Sequence, residues 1–308
     1  MEKIRLDSGY ITGLEVKGAT IYRGIPYAAP PTGKLRWQAP QPVAPWQGVR
    51  ECTKYSIQPA QRPDPNGSAA AQKVPSSEDC LYLNVVVPAK KPEGKLPVMV
   101  WFHGGGLRYG SANWDFYNSP ALANHGVIIV SVNNRLGIFG LFAHPLLAKE
   151  SPTGTCGNYM FLDMIAALKW VKRNIAAFGG DPDKVTIFGE SGGGVKVAGL
   201  IASPLAKGLF HRAICESGGA NPENFPVKKL EEYGEMLFEK LGVIKEKAPL
   251  AVARAVPWEK LVEVDQAMNE SLGQWASFMG VWALAIEGCV FPDTVHNIFQ
   301  AGKQNPVP

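Results

Sequence analysis

The sequence predicts an α/β protein in which a mainly parallel central sheet has helices on both faces. Two observations carry this prediction. Short runs that are apolar on both sides recur along the chain and end at Gly, Pro or Asn, as expected for strands buried between layers. Segments with helical spacing lie between these runs, and this alternation is typical of a parallel sheet. The 308 residues are 46% hydrophobic and 19% charged, which suits one sizeable core, so we treat residues 1–308 as a single domain.

The strand predictions follow the chain in order. The first 50 residues carry short β-like runs, which we expect to form a small antiparallel sheet, and then a proline-rich coil. A stretch rich in Pro, Gly, Ser and Ala at 59–76 predicts a long loop. The predicted strands of the central sheet are 81–88, 96–102, 126–133, 184–189 and 212–218.

The clearest helix prediction spans 158–178. Its apolar residues recur every three or four positions and form one stripe, and Gly179 and Gly180 then end it. A second helix is predicted at 192–203. Amphipathic helices at 228–242 and 249–270 lie within 219–290, which we expect to form a helical lid or cap.

Composition argues against several classes of function. The net charge is +4 without a basic run, so we expect no nucleic-acid or anionic-membrane partner. No segment approaches 18 apolar residues, and the N-terminus lacks the apolar core of a secretion signal; a cytoplasmic location is therefore expected. The five cysteines form no Cys-x-x-Cys pair, so neither a disulfide framework nor a zinc site is expected, and no motif indicates a cofactor.

The stretch FGESGGG at 188–194 has the Gly-x-Ser-x-Gly spacing of a nucleophile elbow. A predicted strand precedes it and a predicted helix follows it, as that motif requires. Ser191 is therefore the candidate nucleophile. The alternative is a glycine-rich helix start in which Ser191 merely caps the helix.

A second glycine motif, WFHGGGL at 101–107, follows a buried strand. Three consecutive glycines allow backbone N–H groups to converge on one point, which suits the negative charge that develops on a tetrahedral intermediate. The alternative is a phosphate-binding loop, but no Gly-Lys-Ser/Thr follows the glycines. The sequence favours an oxyanion loop.

Five motifs in order resemble the type-B carboxylesterase family, which includes the cholinesterases. They are YRGIPYAAPPTGKLRW (22–37), SEDCLYLNV (77–85), HGGG (103–106), NIAAFGGDPDKVTIFGESGGG (174–194) and SPLAKGLFHRAICESG (203–218). The resemblance implies the α/β-hydrolase fold and hydrolysis of small-molecule carboxylic esters through an acyl-serine intermediate.

By position, the resemblance assigns the nucleophile to Ser191 and the backbone donors of the oxyanion hole to Gly105, Gly106 and Gly192. It also implies two structural ion pairs, which are Arg36 with Glu78 and Arg135 with Asp163.

Several positions depart from the family pattern. The family usually has Ala at the position of Gly192, which retains the N–H donor but could loosen the turn. Pro59 stands where the family often has the disulfide partner of Cys80, so we expect Cys80 to be unpaired. Asn134 and Leu107 replace aromatic residues and could reshape the substrate pocket.

The family's acid and histidine match no residue of this chain, which ends where the strand leading to the acid would begin. None of the five histidines occupies the position of the base. The resemblance is therefore to the N-terminal part of the family, without its C-terminal strands. We expect the chain alone to be nearly inactive, with strand 212–218 as an uncovered sheet edge that a complementing C-terminal segment could pair.

Two other functions remain open at this stage. The resemblance also covers adhesion proteins that have lost catalysis, so a non-catalytic binding protein is one alternative. The intact Ser191 and glycine loop argue against it, because a pure binding protein needs neither. A self-sufficient short esterase is the other alternative, and it requires a histidine within hydrogen-bonding distance of Ser191 Oγ.

Overall fold

The computed structural model describes residues 2–62, 75–90, 93–219, 224–274, 276 and 280–308. A seven-stranded sheet forms the centre of the molecule. The described strands are β1 (Ile4–Leu6), β2 (Gly9–Thr12), β3 (Leu14–Val16), β4 (Ala19–Pro26), β5 (Val49–Glu51), β6 (Gln58–Pro59), β7 (Ser76–Ser77), β8 (Tyr82–Pro88), β9 (Leu96–Phe102), β10 (Ile128–Val132), β11 (Gly180–Glu190), β12 (Arg212–Glu216), β13 (Asn224–Pro226) and β14 (Leu284–Ile286).

Helices connect and cover these strands. The α-helices are α1 (Pro120–Ala123), α2 (Gly137–Leu141), α3 (Pro145–Glu150), α4 (Tyr159–Asn174), α5 (Gly192–Ala202), α6 (Val227–Lys240), α7 (Pro249–Ala255), α8 (Trp258–Ser271) and α9 (Val295–Gln300). Within the described residues, no helix is both long and apolar enough to cross a membrane.

The central sheet has the order β12-β11-β9-β10-β8-β4-β3. Strands β12, β11, β9 and β10 run parallel to one another, whereas β8, β4 and β3 pair antiparallel with their neighbours. The carboxyl ends of β9 and β11 therefore lie side by side at one edge. In an open α/β sheet this edge is where ligands bind.

Alternate side chains of β8 pack on opposite faces of the sheet. Val85 and Val87 belong to the large core that also includes buried residues of α4 and α5. Val86 packs with Ala123 of α1 on the other face. Because side chains alternate along a strand, a strand that is apolar at every position must be covered on both sides. This arrangement confirms the layered fold predicted from the continuous apolar runs.

The strands and helices lie close to their predicted positions, with one exception. The segment predicted as a single helix at 249–270 forms two helices, α7 and α8, so that prediction is wrong. Val256 is extended, with φ −63° and ψ 130°, and Pro257 follows it. Proline lacks an N–H and disfavours helical backbone at the preceding residue, so the helix is interrupted there.

The N-terminal region is divided between two sheets. Strands β3 and β4 join the central sheet, whereas β1, β2 and β5 form a separate small sheet. In that sheet β1 pairs antiparallel with β2, but β5 pairs parallel with it, so the expected antiparallel sheet is mixed instead. The long connection between β2 and β5 allows the chain to return in the same direction, as a parallel pair requires. At the ends of the predicted long loop, β6 and β7 form a short parallel pair; residues 63–74 of that loop lie outside the described residues.

Both ion pairs implied by the family resemblance are present and buried. Arg135 donates to Asp163 from Nη2 at 2.6 Å and from Nε at 2.8 Å. Arg36 donates through Nε to Glu78 at 2.7 Å and through Nη1 to the Val256 carbonyl oxygen at 2.7 Å. The second pair therefore attaches the N-terminal region to the end of α7.

Candidate active site

The elbow places Ser191 between the end of β11 and the start of α5. Its backbone has φ 55° and ψ −121°, a conformation that L-residues rarely adopt. The Ser191 N–H donates to the Glu216 carbonyl oxygen of the neighbouring strand β12 at 2.8 Å. Ser191 is exposed, and its side chain makes no capping hydrogen bond to α5. The helix-cap alternative therefore has no support, and the hydroxyl is presented to solvent.

Gly193 allows α5 to begin directly against strand β9. A β-carbon at position 193 would lie only 2.1 Å from the carbonyl oxygen of Phe102. No other residue type fits this contact, because the obstructing atom is backbone of a central strand. The sharp turn at Ser191 depends on this close approach, as the elbow motif requires.

The oxyanion loop predicted from WFHGGGL lies beside the elbow. Gly105 and Gly106 have φ angles of 97° and 58°, which favour glycine. The amides of Arg108 and Tyr109 both donate to the Gly105 carbonyl oxygen at 3.0 Å. These two hydrogen bonds hold the Gly105 carbonyl oxygen within a tight turn of the loop.

The loop and the elbow are in direct contact. A β-carbon on Gly192 would lie 2.7 Å from the Gly106 nitrogen, and one on Gly104 would lie 3.5 Å from Ser191 Cβ. The structure thus brings Gly106 and Gly192 together next to Ser191, with Gly105 one residue away in the same loop. These are the four residues that the sequence selected.

Buried His103, at the start of the loop, is held in its neutral form. Its Nδ1 lies 2.8 Å from the Gly104 carbonyl oxygen, so Nδ1 carries the proton. Burial, followed by the nearby charge of Lys196, holds the His103 pKa well below its ordinary value. Its Nε2 has no hydrogen-bond partner among the described residues. The contacts of His103 therefore lie within the loop itself.

Sequence reasoning overlooked Lys196. This side chain is fully buried in α5, and its Nζ donates to the His103 carbonyl oxygen at 3.0 Å. Burial lowers the Lys196 pKa to about 7. The available signal was the isolated lysine within the otherwise apolar helix sequence GGGVKVAGLIA.

The remaining histidines have structural positions. His144 Nδ1 accepts from the Leu146 amide at 3.1 Å at the start of α3, and His211 Nδ1 accepts from the Val185 amide at 3.2 Å. His125 and His296 are exposed, in a turn and on α9. Within the described part of the chain, no histidine is hydrogen-bonded to Ser191 Oγ.

A buried thiol beside a carboxylate forms a second cluster, which lacks the features of a nucleophilic site. Cys156 Sγ lies 3.5 Å from the carbonyl oxygen of His144 and 4.0 Å from Glu231 Oε1. Burial raises the Cys156 pKa to about 12, so the thiol is protonated at neutral pH and unreactive. Cys80 and Cys52 are also buried free thiols. Across the described residues, no group of three potential metal ligands is close enough to hold an ion.

Comparison with known proteins identifies the family of the chain. The model of the carboxylesterase family matches residues 1–308. The chain is 38% identical over 304 residues to carboxylesterase 1C of Rattus norvegicus, which covers 94% of this chain and 52% of that protein. It is 47% identical to the para-nitrobenzyl esterase of Bacillus subtilis (strain 168), covering 69% of this chain and 42% of that protein.

The chain is 46% identical to fumonisin B1 esterase of Sphingopyxis macrogoltabida, over a region that covers 69% of this chain and 39% of that protein. The chain thus spans about half the length of these relatives, or less. A solved PNB esterase structure superimposes with a TM-score of 0.90 at 35% identity, over 100% of this chain and 61% of that one. The family match over the full sequence and this superposition show that the chain belongs to the carboxylesterase family and has the α/β-hydrolase fold.

Proposed function

We propose that this chain carries the nucleophile and the oxyanion hole of a serine carboxylesterase. Ser191 Oγ attacks the carbonyl carbon of a carboxylic ester, and the alcohol leaves as an acyl-Ser191 intermediate forms. Water then hydrolyses that intermediate and releases the acid. The observation that carries the proposal is the contact of the strained, exposed Ser191 elbow with the glycine loop.

The same contact supports the assignment of the oxyanion hole. The amides of Gly105, Gly106 and Gly192 belong to the two segments that meet beside Ser191. Each such donor typically contributes about 3 kcal/mol of transition-state stabilisation. Gly192 also begins α5, whose N-terminal amides favour negative charge.

No described histidine is placed to act as the base of Ser191, and we propose that the chain supplies neither the catalytic base nor the acid. A serine hydroxyl needs a base to accept its proton, and losing the histidine of such a triad costs on the order of a million-fold in kcat, as measured in subtilisin. We therefore propose that the isolated chain is nearly inactive towards esters. Because a chain without a base need not catalyse a reaction, a non-catalytic binding protein is the second candidate function.

Strand β12 is where a complementing segment would add. It lies at the edge of the central sheet, and its Ile214 side chain is 43% exposed. Among the described residues, the Ala213 amide is the only group on this edge that bonds to the part of the chain after β12. It donates to the Pro308 carbonyl oxygen at 3.0 Å. Open strand edges of this kind pair with further strands, and we propose that such a segment also carries the base and the acid.

Two measurements on the purified chain test the proposal. A fluorophosphonate probe should label Ser191 slowly, because the oxyanion hole and positioning give a residual acceleration of roughly a thousand-fold without a complete triad. Mass mapping should place the label on Ser191 and find none in Ser191→Ala. Ser203→Ala is the matched control and should label normally, since buried Ser203 lies at the far end of α5.

The two candidate functions predict different labelling. A wild-type chain with no label on Ser191 would favour the binding protein and contradict the esterase proposal. Turnover of p-nitrophenyl acetate by the chain alone, abolished by Ser191→Ala, would instead show that the base is already present and contradict the need for a complementing segment.

A further inference from the structure

Lys196 is a buried amine that the proposed reaction does not use. Its side chain is fully buried, and none of the ion pairs among the described residues includes it. An amine placed in this way is costly to bury unless its hydrogen bonds compensate. Its described hydrogen bond is the one to the His103 carbonyl oxygen, at 3.0 Å.

That carbonyl oxygen belongs to the peptide unit that begins the oxyanion loop. The unit contains the His103 carbonyl and the Gly104 N–H, and it is planar. A hydrogen bond to the His103 oxygen therefore determines how the whole unit is turned. The next peptide unit contains the Gly104 carbonyl and the Gly105 N–H, and His103 Nδ1 binds this carbonyl oxygen at 2.8 Å.

The two contacts form a continuous chain from α5 to the Gly105 amide. Lys196 orients the backbone of His103, the His103 ring holds the Gly104 carbonyl oxygen, and the trans peptide then directs the Gly105 N–H to the opposite side. We propose that Lys196 is a positioning residue that sets the direction of the Gly105 N–H in the oxyanion loop. The effect of Lys196 on the loop geometry does not depend on the proposed function, whereas its effect on catalysis rests on that function.

A direct role as the base of Ser191 fits the structure less well. The described hydrogen bond of Lys196 Nζ runs to the His103 backbone, and no described hydrogen bond joins it to Ser191. A role in packing alone is the other alternative, and a methionine of similar length and volume would preserve it.

Hydrogen exchange measured by NMR on the full chain separates these alternatives. In Lys196→Met, exchange of the Arg108 and Tyr109 amides, which donate to the Gly105 carbonyl oxygen, should accelerate by at least about tenfold more than that of the β10 amides. Lys196→Gln keeps a donor and should restore part of the protection. Lys172→Met is the matched control, because exposed Lys172 also donates to a backbone carbonyl oxygen, that of Gly208, at 3.2 Å.

The outcomes are decisive in both directions. Equal acceleration throughout the protein would show a packing role and overturn the proposal, as would unchanged exchange at Arg108 and Tyr109. If neither variant folds, the wild-type protein provides the test: the His103 carbonyl carbon and the Gly105 amide should shift with the titration of the Lys196 amine. His103 itself does not titrate in that range, because its pKa is well below its ordinary value. Constant shifts would overturn the proposal.

Fluorophosphonate labelling distinguishes this proposal from the proposed function. If wild-type Ser191 is labelled, Lys196→Met should label more slowly than Lys172→Met. If wild-type Ser191 is not labelled while the exchange pattern holds, the esterase proposal fails and the positioning role of Lys196 stands.

Discussion

Gly192 at the start of α5 packs directly against the backbone of Gly106 in the glycine loop, with no room for a side chain between them. A β-carbon on Gly192 would lie 2.7 Å from the Gly106 nitrogen and 3.2 Å from the Leu107 nitrogen. The family usually has alanine at this position, and the expectation from sequence was a looser turn. In the structure, the backbone of the loop lies in the space that an alanine methyl group would need.

Gly192→Ala should therefore displace the loop and destabilise the protein. Overpacking of this kind typically costs about 1–3 kcal/mol. Gly193→Ala should cost more, because its β-carbon would meet the Phe102 carbonyl oxygen at 2.1 Å and a central strand cannot yield as a loop can. Urea unfolding of both variants measures the order, and a Gly192→Ala variant at least as destabilised as Gly193→Ala would contradict it.

The sequence predicted the architecture well because the signals were local. The apolar runs located β8 to β12 within a few residues, and the glycines identified both the elbow and the oxyanion loop. Each of these signals depends on backbone conformation or burial of neighbouring residues, which the sequence displays directly.

Features that depend on distant contacts were not predictable in this way. Nothing near Lys196 in the sequence indicates that its amine reaches the carbonyl oxygen of His103, 93 residues away. The close contact of Gly192 with Gly106 also joins two separate segments. The break between α7 and α8 is different, because Pro257 indicates it in the sequence. The prediction of one helix gave more weight to the apolar periodicity than to this proline.

Backbone strain at Ser191 predicts that Ser191→Gly stabilises the protein. Ser191 has φ 55° and ψ −121°, a region that costs an L-residue of order 1–3 kcal/mol and glycine much less. Glycine is also more flexible in the unfolded chain, which offsets part of this stabilisation. We therefore expect the free energy of unfolding to rise by about 1 kcal/mol in total. Ser191→Ala is the control because it retains the strained β-carbon. Equal urea midpoints for the two variants would contradict the prediction.

Breaking the buried ion pair of Arg135 should be strongly destabilising. Burial opposes the charge of Arg135, but the Asp163 carboxylate raises the Arg135 pKa above its ordinary value. Asp163→Asn leaves that charge buried without its opposite charge and should cost about 3–5 kcal/mol in the free energy of unfolding.

The matched control is the exposed pair of Lys229 with Glu232, whose side chains are 47% and 62% exposed. Glu232→Gln should change the free energy of unfolding by less than about 1 kcal/mol. Comparable losses in the two variants would show that burial does not determine the cost.

The open edge of β12 predicts self-association of the isolated chain. Exposed Ile214 on an edge strand favours pairing with another strand, so the chain should form larger species at micromolar concentration. Ile214→Lys should shift it towards monomer, because edge lysines oppose such pairing. Light scattering after size exclusion measures the change. Leu122→Lys is the control, because Leu122 is a 42% exposed residue of α1, a helix that packs against the inner strands β8 and β10; it should have little effect. A monomeric wild-type chain would contradict the prediction.

The buried amine predicts a specific pH dependence of stability. Burial places the Lys196 pKa at about 7 in the folded protein, whereas a lysine in an unfolded chain titrates at about 10.4. Between these values the unfolded state binds more protons, so Lys196 makes the free energy of unfolding rise with pH, by up to about 1.4 kcal/mol per unit. Its penalty is complete below pH 7 and absent above about pH 10.4.

Lys196→Met removes this dependence, so the difference in stability between the variant and the wild type should change with pH. The variant should be most favoured near pH 7 and lose that advantage steadily towards pH 10. Tyrosines and cysteines with raised pKa values, such as Tyr22 and Cys52, oppose the trend equally in both proteins and cancel in the difference. Urea unfolding at several pH values measures it, with Lys172→Met as control. A difference that stays constant across this range would show that the Lys196 amine is already charged in the folded protein.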